Sequence, residues 1–135
     1  MTAGARSMVR VCRAGVAALL LLLGACASLE THALQRSAEL RLLYPPGATA
    51  RADVQSRFGP ITPNLSATRP GAGWADARPR VVGLRALESE RRTGKSPSRV
   101  ERYLAPDGLF SLCYCWFYYD DGDRVVDVEW QYASD

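Results

Sequence analysis

Residues 110–132 read FSLCYCWFYYDDGDRVVDVEWQY, and this stretch sets the fold class. Phe110 to Tyr119 has the composition of a strand, Asp120 to Asp123 that of a tight turn, and Val125 to Tyr132 that of a second strand. The last of these alternates, with Val126, Val128, Trp130 and Tyr132 on one side and Asp127, Glu129 and Gln131 on the other. Its partner does not: Leu112, Tyr114, Trp116 and Tyr118 fill one face, and Cys113, Cys115, Phe117 and Tyr119 the other. Turn length then decides which face joins the valines. A three-residue loop, Asp120-Asp121-Gly122 with glycine last in the left-handed conformation, sets Trp116 opposite Val126. A two-residue Asp121-Gly122 turn would put the cysteines inward instead. The glycine position favours the first register. Under either, the middle strand is apolar on both faces, so the segment at about 61–98 or a partner must cover the side that a small helix-on-sheet domain normally leaves wet.

Upstream, Val100 to Leu104 reads as a third strand, joined to the second by Ala105-Pro106-Asp107-Gly108, with proline placed for a turn. Nine of the chain's twelve aromatic residues lie from Arg99 onward, which marks this meander as the folding core. Residues 61–98 are rich in Pro, Gly, Ser and Arg. They carry Trp74 after Gly71-Ala72-Gly73, and then Val81-Val82, Leu84 and Leu87 in a short helical pattern up to Gly94. A stretch of this length inside a compact domain predicts order or function within it. Arg78, Arg80, Arg85, Arg91 and Arg92 give it a cationic surface, which anionic head groups or a partner could meet.

Two helices precede it. Ala50, Val54 and Phe58 share a stripe, with Thr49 as the expected N-cap, Asp53 near the positive end of the dipole and Gly59-Pro60 as the stop. Leu34, Ala38 and Leu42 recur at i, i+4 and i+8, with Leu43 alongside, before Tyr44-Pro45-Pro46-Gly47 ends the pattern.

Arg6, Arg10 and Arg13 lead into an unbroken apolar run from Val16 to Leu23, followed by Gly24-Ala25-Cys26. Ten helical residues reach about 15 Å, half the hydrocarbon thickness, so this reads as an export signal rather than a span. Leu23-Gly24-Ala25-Cys26 resembles the lipobox of bacterial lipoproteins, whose cysteine becomes the acylated first residue of the mature chain. Several acyl chains on Cys26 would make membrane attachment effectively permanent. The resemblance implies signal peptide 1–25, tether 26–33 and a domain over 34–135. Ala27 and Ser28, with no aspartate after the cysteine, resemble cargo sent on to the outer membrane and facing the periplasm.

Gly47-Ala48-Thr49, Val54 and Phe58-Gly59-Pro60, together with the closing hairpin, are similar to motifs of the SmpA/OmlA (BamE-like) outer-membrane lipoproteins. The threonine-to-valine spacing is one residue longer here, and the glycine and proline are adjacent. The resemblance implies an α+β fold, two short helices on a three-stranded antiparallel meander, with 61–98 as an insertion. It also implies a binding or scaffolding role in outer-membrane protein assembly or envelope integrity, with the β-barrel assembly machinery as candidate partner.

Without the signal, 14 basic residues face 14 acidic ones, which removes the electrostatic footing for nucleic-acid binding. His32 is the only histidine, so no serine–histidine–acid set and no zinc site can be assembled around it. Asp120-Asp121-Gly122-Asp123 fails as an EF-hand loop, because Phe117, Tyr119 and Val128 stand where ligands belong. The residues predict no enzyme, no cofactor, no metal and no small-molecule substrate. Beside the lipid bilayer reached through Cys26, the expected contacts are protein ones, with Cys115, Phe117, Tyr119 and Trp74 as candidate partner-binding residues. Two alternatives stand: an inhibitor of a periplasmic enzyme on a similar helix-plus-sheet unit, and a thiol–disulfide protein using Cys113 and Cys115. Same-face neighbours on one strand cannot form an unstrained disulfide, so a buried, inert cysteine pair is expected.

Overall fold

The computed structural model describes residues 3–58, 62–107 and 111–133, with side chains at 15–24, 28–58, 62–104 and 113–133. It divides into two compact units, Met1–Leu34 and Gln35–Asp135. The first is helical throughout its described length and belongs to α1 (Ala3–Leu43). From Gly15 to Leu43 this helix is long and apolar enough to cross a membrane, a test that a signal sequence near an N terminus also passes.

The second unit is α+β. After the end of α1 come α2 (Arg51–Arg57), β1 (Leu65–Thr68), a single 3₁₀ turn (Trp74–Asp76), α3 (Arg80–Thr93), β2 (Arg99–Asp107), β3 (Ser111–Tyr119) and β4 (Val125–Tyr132). The four strands form an antiparallel meander in sequence order. The expected three-stranded sheet thus gains an edge strand from the segment read as an insertion. The same segment supplies α3, whose left-handed C-cap is Gly94 (φ 72°).

The β3–β4 register corrects the expected one. Asp120 pairs across to Arg124, so the loop is Asp121-Gly122-Asp123, and Asp123 (φ 54°) takes the left-handed position given above to glycine. Asp120 Oδ1 accepts from the backbone N–H of Gly122 at 2.9 Å and of Arg124 at 3.0 Å, an Asx turn that fixes the loop. That one-residue displacement alone would keep Trp116 on the valine side. A β-bulge then places Tyr119 opposite Val125 but Tyr118 opposite Asp127, leaving Val126 as the extra residue. The bulge inverts the pairing beyond it: Trp116 faces Glu129, Phe117 faces Val128 and Cys115 faces Trp130.

Both faces of β3 are consequently covered from within the chain. On one, Trp74, Ala77, Val82 and Ala86 pack on Val100, Trp116 and Tyr118. Gly83 lets α3 approach the 3₁₀ turn, since a Cβ there would overlap the Trp74 carbonyl oxygen, and Trp74 Nε1 donates to the Pro97 carbonyl at 2.7 Å. On the other, Tyr44, Phe58, Tyr103, Phe117 and Tyr119 form a chain of ring contacts; Phe58 stacks on Tyr103 at 4.4 Å between centroids and meets Phe117 edge-on at 5.4 Å. Val54, on the expected stripe of α2, is buried beside them.

Three local expectations fail. Thr49 is not an N-cap: its hydroxyl donates back to the Pro45 carbonyl at 3.0 Å, and the cap residue is Ala50, which makes no side-chain cap bond. The stripe Leu34, Ala38 and Leu42 is exposed, because the last turns of α1 bury the side carrying Ser37 and then Tyr44. Ala105 and Pro106 stay in β2, which pairs to Asp107↔Ser111; Gly108, like Gly59-Pro60, lies outside the described residues.

Candidate functional site

The backbone of Cys26 lies within α1, and its side chain is outside the described residues. The four expected partner-binding residues, Cys115, Phe117, Tyr119 and Trp74, are all buried. Phe117 and Tyr119, with Cys115 on the same side of β3, lie in the ring-lined face, and the 3₁₀ turn packs Trp74 with Val82 and Ala86 of α3, so all four are core.

The Cys113 and Cys115 thiols are both buried. Burial, reinforced by the neighbouring Cys113, pushes the Cys115 thiol up to about 11. A reactive cysteine requires the opposite shift, because the thiolate is the nucleophile. The pair has the environment of packing groups.

Buried polar groups are tied in two networks. On the α2 face, the fully buried Glu101 receives Arg51 Nε at 2.7 Å and the Tyr103 hydroxyl at 3.2 Å. Burial, then the charge of Glu101, raises the pKa values of Tyr103 and Tyr119. On the α3 face, Asp127 is almost fully buried and accepts from Arg41 at 3.2 Å, Ser89 at 3.1 Å, Arg92 at 2.8 Å and the Val128 N–H at 2.9 Å. Glu129 receives Arg85 at 3.1 Å, Arg92 at 3.3 Å and the Tyr118 hydroxyl at 2.9 Å. Burial works against the Arg92 charge, but the bond to Asp127 and the attraction of Glu129 hold its pKa above the ordinary arginine value. An open cleft of about 540 Å³ lies over this network, lined by Arg41, Pro46, Arg92, Thr93, Val126 and Asp127. Both Asp127 oxygens are already engaged by the protein, so the carboxylate ties α1 and α3 to β4 rather than facing a substrate.

The accessible part of the sheet lies beyond α3. The residues covering that face pack at the Val100–Tyr118 end. Farther along, Leu104 and Tyr114 pair across β2 and β3, and Tyr114 pairs with Gln131 on β4. Leu104 is 36% exposed, and Tyr114 and Gln131 are half-buried. The Arg102 guanidinium lies 4.0 Å from the Tyr114 ring centroid and 5.3 Å from that of Trp116. Its Nε donates to Asn64 Oδ1 at 3.0 Å, while Trp116 Nε1 donates to Gln131 Oε1 at 3.0 Å. This is a held arginine on an aromatic floor with an exposed leucine beside it, the side-chain types enriched at binding hot spots being Arg, Tyr and Trp. Sequence reasoning missed it because the erroneous register assigned Tyr114 and Trp116 to the valine side. The available signal was Arg102 in a strand opposite an aromatic run.

No protein-family model matches the sequence, and neither a curated protein nor a solved structure is significantly similar to it.

Proposed function

We propose that the chain is a lipid-anchored outer-membrane lipoprotein, facing the periplasm, whose domain is a protein-binding or scaffolding module of BamE-like type that supports outer-membrane protein assembly. The observation that carries this reading is Leu23-Gly24-Ala25-Cys26 at the end of a short leucine-rich run behind three arginines, the arrangement a lipoprotein signal requires. The sequence motif Gly47-Ala48-Thr49, Val54 and Phe58-Gly59-Pro60, a turn leading into α2, and the closing hairpin support the family likeness. The surface around Arg102, Tyr114 and Leu104 supports the binding role, and it suits a partner that presents a carboxylate next to an apolar side chain.

Crosslinked affinity purification of the tagged protein from detergent-solubilised envelopes, with Cys26→Ser as the unanchored control and Arg102→Glu as the surface control, tests the reading. Acylation at Cys26 and recovery of β-barrel assembly proteins, lost in Arg102→Glu, is the expected result. Recovery of an unrelated envelope protein, or of none, would leave the anchor and remove the assembly role. Absence of acyl label on Cys26 would remove the anchor itself.

A further inference from the structure

The five arginines of 78–92 divide into two groups. Arg85 and Arg92 turn inward to Glu129 and Asp127. Arg78, Arg80 and Arg91 remain exposed, and Lys95 follows just past the helix end. Winding α3 at 100° per residue places Arg80, Leu84 and Arg91 along one line directly opposite the buried Val82, Ala86 and Ser89, with Val81 on its flank. Val81 is 41% exposed and Leu84 49%. The acid on this outward face, Glu88, is matched by Arg85 at 3.1 Å. The outward line is thus cationic with an apolar centre, whereas the ion pairs beneath it are internally balanced.

We propose that this outward face of α3 docks on an anionic lipid surface, with Arg80 and Arg91 at the phosphate level and Leu84 and Val81 entering the interface. Charge complementarity is the warrant. An anionic bilayer surface attracts the exposed cations, and its interface takes up the solvent-facing aliphatic groups that water solvates poorly. The inference rests on the lipid-anchored reading for its setting, since a tethered domain meets the bilayer continuously. Its effect would be to fix which side of the domain faces away from the membrane.

The test uses the full acylated protein bound to vesicles of phosphatidylcholine with or without phosphatidylglycerol. An environment-sensitive fluorophore is attached at Leu84→Cys or, as control, at the exposed Ala52 of α2 through Ala52→Cys. Burial protects Cys113 and Cys115 from labelling. The expected result is a blue shift and gain of intensity at 84 with phosphatidylglycerol, absent with phosphatidylcholine alone and absent at 52. In the double variant Arg80→Glu, Arg91→Glu the apparent affinity of the α3 contact should fall at least roughly tenfold, and added salt should weaken it. An unchanged probe at 84, or equal changes at 84 and 52, overturns the inference. A silent probe that responds to a soluble acidic protein overturns it too and makes the face a protein contact. Flotation separates the two readings. Protein that fails to float with phosphatidylcholine sinks the anchor, and arginine-dependent flotation with phosphatidylglycerol would still support the docking face.

Discussion

The two faces of the sheet are closed by different chemistry. The α2 face is closed chiefly by aromatic contact, Phe117 lying among Tyr44, Phe58, Tyr103 and Tyr119, with a single buried carboxylate, Glu101, held by Arg51 and Tyr103. The α3 face has a small apolar centre, Trp74, Val82, Ala86, Val100, Trp116 and Tyr118, and a rim of charge in which Asp127 and Glu129 hold three arginines. Ring packing needs no partner-specific geometry beyond shape. A buried carboxylate is tolerable only while its donors remain in place. The first face thus relies mainly on ring packing, while on the second Asp127 and Glu129 fix the seating of α1 and α3.

Cutting into the aromatic face should do the most damage. Phe117→Ala is expected to cost about 3–5 kcal/mol, read as a fall in the urea midpoint; a loss under 1 kcal/mol would mean that the rings are not the main source of cohesion. Asp127→Ala comes next, at roughly 2–4 kcal/mol, because it strips Arg41, Arg92 and Ser89 of one shared acceptor. Hydrogen exchange sharpens the contrast: the variant should expose amides in α3 and the end of α1 while β3 stays protected.

Alkaline titration probes the aromatic face differently. Burial raises the Cys115 pKa from 9.0 to about 11, so above pH 9 the unfolded chain holds fewer protons than the native one. Stability is then full below pH 9 and falls as pH climbs toward 11, by roughly 2–3 kcal/mol for this group. Thermal melts across that window check it, and Cys115→Ala should remove much of the early slope. Gly83→Ala should have the smallest effect, about 1–3 kcal/mol, by forcing α3 off the Trp74 carbonyl; a neutral outcome would show that the α3 seat is loose.

Strands β2, β3 and β4, the α3 stop at Gly94 and the need for a cover over β3 were legible, because aromatic runs, turn residues and two-sided apolarity are local facts of sequence. The buried faces were not. Strand alternation sends Val125 and Val126 to opposite sides, but only the bulge decides that Val128 and Trp130 share the face of Val125 rather than that of Val126. Ser37 reads as an ordinary surface residue of α1, yet its buried hydroxyl accepts the Trp130 N–H at 2.9 Å. That demand rotates Leu42 outward. The candidate surface at Arg102 was hidden for the same reason, since it depends on the register, and β1 was obscured by the proline- and serine-rich residues around it.

One feature of β4 reaches beyond the fold's own stability. Its outer margin is occupied at two points: Gly47 and Thr49 bond Val125, with Arg51 bonding Asp123 just before the strand, and Ser37 stands in for a neighbouring strand at Trp130. At the opposite margin stands β1, four residues long, with β2 as its neighbour in the sheet. Among the described residues, β4 is therefore a poorer template for a further strand than the β1 margin. An extended chain arriving edge-on finds a short template at β1 and an edge interrupted at Val125 and Trp130 on β4, which disfavours strand addition that would propagate through the domain.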